Sequence, residues 1–170
     1  IDAITYLGDY TRGEISKAIS KNDVGKLVQI APGIDVDHFV PTDSSELRAQ
    51  LGLADKAVII SVGRLVHRKG QDKLISALPA IRAAVPNVHL VLVGVGPHQK
   101  FLENLVAKLN VADCVTFIGR INYSELPKYI CVGDIFAMPS RSRFFGLEVE
   151  RLGIVYLEAS ACGLPVVGGK

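Results

Sequence analysis

The sequence of 170 residues predicts an α/β fold, a Rossmann-like parallel sheet with helices on both faces. Apolar, strand-like runs alternate with helical stretches across short connections, which is typical of a parallel sheet with right-handed crossovers. Hydrophobic residues make up 49% of the chain and aromatic residues only 6%. Small aliphatic side chains therefore dominate, as they do in buried sheets covered by helices.

The first part of the chain predicts two short strands, one helix and a linker. The apolar run 3–7 is typical of a buried strand, and Asp9 can cap a helix that continues to about Ser20. Residues 27–30 read as a second short strand. Pro, Gly, Asp and Ser then cluster in residues 31–45, where we place a linker or a domain boundary.

After the linker, helices and strands alternate regularly. The predicted helices are 46–51, 71–84, 99–109, 124–131 and 152–162, and the predicted strands are 58–62, 88–93, 115–118, 135–138 and one beginning at 166. Ser124 is a candidate N-cap, whereas Pro79 lies inside a helix that it should kink or weaken. Because open parallel sheets bind ligands beyond the carboxyl ends of their strands, we expect the functional residues in the loops that follow strands.

Composition and charge exclude several classes of function. The net charge is +2, from 19 basic and 17 acidic side chains, which argues against broad nucleic-acid binding. The three cysteines are scattered without a C-x-x-C pair, as in a cytoplasmic protein with reduced thiols. The histidines lack the spacing of a zinc site. We find no signal peptide and no apolar run of about 18 residues.

Residues 63–70, here called the basic loop, form the first candidate site. The loop follows a predicted strand, precedes a predicted helix and contains Arg64, His67, Arg68 and Lys69. Free backbone amides and the helix dipole favour anions at such a point, and guanidinium groups can hold a phosphate through two hydrogen bonds. A solvated basic loop is the alternative, but the position at a strand end favours phosphate binding.

Glu150 and Glu158, with seven residues between them, form the second candidate site. On one helix face the two carboxylates would lie roughly 12 Å apart, because eight residues make slightly more than two turns. That exceeds the roughly 5–9.5 Å of paired glycosidase carboxylates but suits two hydroxyl-rich ends of one extended ligand. A surface helix with two charges is the alternative. Glu158 lies in an apolar stretch, where a carboxylate needs a partner or a ligand.

Two further strand ends carry glycines. Residues 94–97 read Gly-Val-Gly-Pro, which resembles the start of a dinucleotide-binding fingerprint, but Gln99 replaces the third glycine. A tight turn that lets the backbone approach a ligand is the better interpretation. Gly119 and Arg120 close the next strand in the same way.

Two further patterns of charged residues each allow more than one interpretation. Arg141 and Arg143 follow a strand end, where they could face either an anionic ligand or solvent. Asp35 and Asp37 form a D-x-D pair of the kind that can chelate a metal, but they lie in the predicted linker, away from the regular strands. We therefore expect no metal site.

Several of these motifs occur together, and as a set they resemble a known family, the GT-B retaining glycosyltransferases of family 4. Within it, the chain is most similar to actinobacterial phosphatidylinositol mannosyltransferases that use GDP-mannose, and the resemblance runs over essentially the whole chain. The motifs are Gly63-Arg64-x4-Lys69-Gly70, Glu150-x7-Glu158 and Glu158-Ala159-x-Ala161-Cys162-Gly163-x-Pro165-Val166-Val167.

The resemblance implies two Rossmann-like domains that face a cleft, the first for the acceptor and the second for a nucleotide sugar. We therefore expect residues 1–40 to be the tail of the acceptor domain with the linker. Residues 41–170 would be the nucleotide-sugar-binding domain without its final strand and helices. The implied location is cytoplasmic, with peripheral contact at the inner face of the plasma membrane through the missing domain.

The implied function is transfer of a hexose, mannose from GDP-mannose, to a lipid or glycan acceptor. The anomeric configuration would be retained, with no cofactor and no metal. The isolated chain is expected to be inactive. Two alternatives stay open: a nucleotide-diphosphate-binding module that is inactive without the missing domain, and a sugar-nucleotide epimerase.

The resemblance also implies roles for side chains at the matching positions. Arg64 and Lys69 would grip the donor diphosphate and stabilise the charge that grows on the leaving group. Glu150 would contact the hydroxyls of the donor sugar, and these three residues would be the catalytic ones. Glu158 would accept hydrogen bonds from the ribose.

Backbone and loop positions complete the implied site. The backbone of Leu152, Gly153 and Ile154, at the start of a helix, would meet the phosphates. Gly119 and Arg120 would lie beside the base.

Overall fold

The computed structural model describes residues 2–142 and 153–169. The strands in this part of the chain are β1 (Ile4–Tyr6), β2 (Leu27–Gln29), β3 (Ala57–Val62), β4 (Val88–Val93), β5 (Val115–Gly119), β6 (Ile135–Met138) and β7 (Val166–Gly168). The helices are α1 (Asp9–Ala18), α2 (Ser45–Gln50), α3 (Gln71–Ala84), α4 (Gln99–Lys108), α5 (Leu126–Ile130) and α6 (Ile154–Ala161). None of these described helices combines the length and the apolar character needed to cross a membrane.

The main sheet has five parallel strands in the order β5-β4-β3-β6-β7. A separate two-stranded parallel sheet pairs β1 with β2. From β3 the chain adds β4 and β5 on one side and then returns to add β6 and β7 on the other. This reversal is the strand order of a Rossmann-like fold, and it brings the loops that follow the strands to one edge of the sheet.

The side chains of β4 show that helices cover both faces of the sheet. Val91 and Val93 belong to one apolar cluster, which includes residues of β6, α5 and α6. Leu90 and Leu92 belong to a second cluster, formed with residues of α3 and α4. Because successive side chains of a strand point to opposite faces, the alternation places one cluster on each side. The predicted fold class is confirmed.

The predicted helix 71–84 is confirmed, since α3 continues from Gln71 to Ala84 with Pro79 inside it. Pro79 itself is exposed. It supplies no amide donor to the carbonyl group of Ile75, one turn earlier in the helix.

Two expected helix caps are wrong. Ser124 lies inside a 3-10 turn (Tyr123–Glu125) that precedes α5, so it caps nothing. Asp9 is the first helical residue of α1, and Gly8 before it occupies the N-cap position. An acidic residue in the first turn still suits the helix dipole, which explains why the two positions are hard to tell apart in a sequence.

Two glycines of the loop after β4 allow the basic loop to pack against it backbone to backbone. A Cβ at Gly94 would lie 2.1 Å from the carbonyl oxygen of Gly63, and one at Gly96 would lie 2.2 Å from that of Leu65. Gly94 also has a φ of +128°, which L side chains rarely adopt. These glycines therefore serve the packing of two loops, whatever contact they also make with a ligand.

The other side of the basic loop packs equally closely against the end of β6. A Cβ at Gly70 would lie 2.0 Å from the carbonyl oxygen of Pro139, and Gly70 has a φ of +76°. The amide of Arg141 donates a hydrogen bond of 2.8 Å to the carbonyl of Arg68. The basic loop is thus held between the loops that follow β4 and β6.

We expect Gly94→Ala to lower the free energy of unfolding by about 1–3 kcal/mol or more, because the new Cβ collides with the Gly63 carbonyl and the backbone φ is unfavourable. Urea denaturation measures the change. Gly13→Ala is the matched control, since Gly13 lies within α1 with nothing within 4 Å of an added Cβ. Gly13→Ala should leave the free energy of unfolding unchanged or raise it by up to about 1 kcal/mol. Equal unfolding curves for wild type and Gly94→Ala would contradict the packing argument.

Candidate functional site

A pocket of about 580 Å³ opens where β3, β4 and β5 end. Its walls come from the carboxyl ends of these strands and from the loops that follow them, which is where the sequence predicts functional residues. The lining residues are Val62, Arg64, Val93, Gly94, Val95, Gly96, Pro97, Arg120, Ile121, Asn122, Tyr123 and Leu126.

Among the described residues that line the pocket, Arg64 and Arg120 are positively charged and none is a carboxylate, so this part of the wall is positively charged. Both arginines are exposed, and neither forms an ion pair with another residue in the described part of the chain. At an effective dielectric constant of 20, an anion at 4 Å from one such charge gains about 4 kcal/mol. The remaining walls are largely apolar, so the pocket suits a ligand with both an anionic and an apolar part.

Lys69 lies beside this pocket rather than in its wall. It ends a 3-10 turn (His67–Lys69), and its Cε would be 3.8 Å from a Cβ placed on Gly63. The side chain therefore folds back along the basic loop toward the residue that precedes Arg64. Both predicted phosphate-binding residues thus belong to the basic loop, but only Arg64 lines the described pocket.

Gly119 and Arg120 have separate roles. Gly119 ends β5 with a φ of +82°, and its carbonyl oxygen accepts a hydrogen bond of 2.7 Å from the amide of Gly94. It is absent from the pocket wall, whereas Arg120 forms part of it. The left-handed backbone at Gly119 turns the chain out of the sheet, which directs the next residue into the loop that bounds the pocket.

Glu158 lies on α6 and is half-buried. Its carboxylate forms no hydrogen bond and no ion pair with other described residues. Burial raises the pKa of this carboxyl group above its ordinary value of 4.5, and the nearby His38 partly opposes the effect. A carboxylate in this state is available to hydroxyl donors from a ligand.

The start of α6 is tied to the end of β6. The hydroxyl of Tyr156 donates a hydrogen bond to the carbonyl oxygen of Met138. Gly153 occupies the N-cap position with a φ of +62°, and a Cβ there would lie 2.6 Å from the Tyr156 ring. Ile154 is the first helical residue and is exposed. Neither Gly153 nor Ile154 lines the described pocket.

Several predicted residues lie outside the described part of the chain. They are Arg143, Glu150 and Leu152. The geometry of the Glu150 and Glu158 pair is therefore not part of the structural description, and its role stays a prediction.

The sequence analysis missed an aromatic contact at the edge of the pocket. The rings of His38 and Tyr123 stack with centroids 4.8 Å apart, and His38 Nε2 lies 3.1 Å from the carbonyl oxygen of Tyr123. Tyr123 lines the pocket, and His38 lies near Glu158 of α6. Tyr123 could have been predicted as a site residue, because it is aromatic and lies in a loop that follows a strand. No local pattern pointed to His38.

Asp35 has a local structural role. Its Oδ1 accepts hydrogen bonds from the amides of Asp37 and His38, both at 3.0 Å, which closes a turn in the linker. Among the described residues, no group of three or more His, Cys, Asp or Glu side chains could hold a metal ion.

Comparison with known proteins agrees with this architecture. A GDP-mannose-dependent alpha-(1-6)-phosphatidylinositol monomannoside mannosyltransferase from Mycolicibacterium smegmatis is 44% identical over 171 residues, which cover 99% of this chain and 44% of that protein. A D-inositol 3-phosphate glycosyltransferase from Stackebrandtia nassauensis is 34% identical over 92% of this chain and 36% of that protein. The chain thus spans less than half the length of these relatives.

Solved structures and a family sequence model lead to the same conclusion. The crystal structure of HepE from Anabaena in complex with UDP and glucose matches with a TM-score of 0.81 and 28% identity, covering 98% of this chain and 44% of HepE. Residues 43–170 match the model of the family Glycosyl transferases group 1. The predicted resemblance is confirmed: the chain belongs to the group 1 glycosyltransferases and has their Rossmann-like GT-B architecture.

Proposed function

We propose that this chain binds the donor of a retaining mannosyltransferase, which transfers mannose from GDP-mannose to a lipid or glycan acceptor. The observation that carries the proposal is the pocket lined by Arg64 and Arg120, whose described wall has two positive charges and no carboxylate. The name of the mycobacterial relative, which is 44% identical, supports both the donor and the glycolipid class of acceptor. We place the reaction in the cytoplasm, with acceptor and membrane contacts outside residues 41–170.

The diphosphate would lie on the basic loop. Arg64 and Lys69 both belong to that loop, and they would neutralise the charge that develops on the leaving diphosphate. Loss of one such preorganised contact typically lowers a rate by roughly 10²–10³. The backbone amides of Leu152, Gly153 and Ile154 would add hydrogen bonds to the same phosphates.

The nucleoside would occupy the pocket. Gly119 and Arg120 would border the base, and the exposed ring of Tyr123 offers a surface for stacking. Glu158 would accept hydrogen bonds from the ribose, because its half-buried carboxylate has no other donor among the described residues. Glu150 would bind hydroxyls of the mannose.

We propose that transfer occurs on the face of the sugar from which the diphosphate leaves. The bond between the anomeric carbon and the diphosphate oxygen breaks, the acceptor oxygen bonds to that carbon, and a diphosphate oxygen takes the acceptor's proton. This route retains the anomeric configuration without a covalent sugar–enzyme intermediate. The chain's own part is to hold the diphosphate, through Arg64 and Lys69, while its charge grows.

Calorimetric titration of GDP, UDP and ADP into the purified chain tests the donor site. We expect GDP to bind most tightly, and Arg64→Ala to weaken that binding by more than about tenfold, because a hydrogen bond to a charged group is lost. Arg82→Ala is the matched control, since Arg82 pairs with Asp113 at the surface of α3, away from the pocket. Absence of binding by a chain that circular dichroism shows to be folded would reject the assignment.

Glu158→Gln should change stability and binding in opposite directions. Because the carboxyl pKa is raised, the folded state holds the proton more tightly than the unfolded state does. Wild type therefore loses stability relative to the variant as the pH rises from 4.5 through the folded-state pKa. The variant should be the more stable protein at neutral pH, yet bind GDP more weakly, since an amide has one acceptor oxygen instead of two.

Urea denaturation at about pH 4 and about pH 7 measures the stability difference, and calorimetry measures the affinity. Glu125→Gln removes an exposed carboxylate and controls for the change in net charge. A variant that is less stable than wild type at neutral pH would show that Glu158 has a structural role rather than a ligand-binding one.

The stereochemical proposal has a direct test in the whole protein that contains this chain. Proton NMR of the product formed from GDP-mannose should show the same anomeric configuration as the donor. An inverted anomer would exclude the proposed route.

A further inference from the structure

Arg141 lies three residues beyond β6 and has a side chain that is only 22% exposed. Its Nη2 donates to Oδ2 of Asp72 at 3.0 Å, and the Asp72 side chain is 15% exposed. Its Nε donates to Nδ1 of His67 at 3.3 Å, and its Nη2 lies 2.7 Å from Nε2 of the same ring. The guanidinium therefore contacts the basic loop and the first turn of α3 at once.

The backbone of Arg141 adds a second attachment to the basic loop. Its amide donates to the carbonyl of Arg68 at 2.8 Å, so one residue holds two consecutive positions of the loop. The next position is Lys69, and Gly70 then packs on Pro139. The turn that bears Lys69 is thus attached on both sides to the segment that follows β6.

The turn His67–Lys69 is short and carries a basic residue at each of its three positions. Its backbone hydrogen bonds include one from the amide of Lys69 to Val66, at 3.0 Å, and one from that of Gly70 to His67, at 3.3 Å. The partly buried guanidinium of Arg141, with its carboxylate and imidazole partners, adds an attachment from outside the turn.

This geometry resolves the alternatives that the sequence leaves open for Arg141. The side chain faces neither the solvent nor the described pocket, whose wall it does not form. It instead joins the segment after β6 to the basic loop and to α3.

We propose that Arg141 is a positioning residue, which fixes the turn of the basic loop so that Lys69 is held ready for the donor diphosphate. The proposal rests on the proposed function, since it assumes that the basic loop binds a diphosphate. Arg141 acts through the loop and not by touching the ligand. Lysine cannot replace it, because a single ammonium cannot donate to Asp72 and His67 in the planar geometry of a guanidinium.

The test compares Arg141→Gln and Arg141→Lys with wild type in the full chain. Calorimetry measures binding of GDP and of guanosine, which lacks the diphosphate, and thermal unfolding is followed without ligand. Arg82→Gln is the matched control, because Arg82 forms a two-pronged pair with Asp113, at 2.9 and 2.6 Å, on the exposed side of α3. Each Arg141 variant is also made together with Lys69→Ala.

We expect both Arg141 variants to weaken GDP binding by about tenfold, the size of effect typical of coupled neighbours, and to leave guanosine binding unchanged. Their melting temperatures should fall further than that of Arg82→Gln, because Asp72 keeps a mostly buried carboxylate without its partner, and unchanged guanosine binding then shows that the pocket itself is intact. In the Lys69→Ala background the effect on GDP should largely vanish, because the group that Arg141 positions is absent.

Three results would overturn the proposal: wild-type GDP affinity in Arg141→Lys, equal losses for GDP and guanosine, or the full loss of GDP affinity in the Lys69→Ala background. The first would show that charge alone suffices, the second that the variants damage the whole pocket, and the third that Arg141 acts independently of Lys69. A folded wild-type chain that binds no nucleoside diphosphate would instead reject the proposed function, and this inference with it.

Discussion

Close contact between backbones at the edge of the sheet is the constraint on which the rest of this structure depends. The basic loop approaches the loop after β4 so closely that any Cβ at Gly94 or Gly96 would overlap a carbonyl oxygen. At Gly70 the end of β6 imposes the same limit. Three loops from three strands therefore form one packed layer, and the charged side chains of the basic loop emerge from a rigid support. Such preorganisation is what anion binding requires, because the donors need no rearrangement when the ligand arrives.

Three charged side chains of the candidate site have no ion-pair partner among the described residues. Arg64 and Arg120 line a pocket whose described wall has no carboxylate, and the half-buried Glu158 on α6 accepts no hydrogen bond from another described residue. Unpaired charges of this kind lower the stability of a fold and are found where a ligand supplies the missing partner. The charges of opposite sign lie in different places. The two arginines follow β3 and β5, whereas the carboxylate of Glu158 lies on α6. A ligand with a diphosphate and a ribose would satisfy both.

Contacts outside the pocket fix the positions of the loop and the helix that carry these charges. The segment after β6 contacts the basic loop through Pro139 and Arg141, and the start of α6 is tied to β6 through the Tyr156 hydroxyl. The same strand end thus supports both the basic loop and the helix that carries Glu158. A shift of β6 would therefore move both parts of the site together, which couples the two ends of the proposed ligand.

The sequence by itself determined the order of strands and helices, the fold class and the location of the basic loop at a strand end, because apolar periodicity and turn residues are local signals. It misplaced the helix N-cap at Ser124, because a 3-10 turn precedes α5 there. Only the tertiary structure joined His38 to Tyr123, which lie 85 residues apart, and turned Arg141 inward to Asp72. The packing role of Gly94 and Gly96 is likewise visible only in the tertiary structure. Which side chains meet across a sheet edge depends on how the strands are ordered and how closely their loops approach, and no local pattern carries that information.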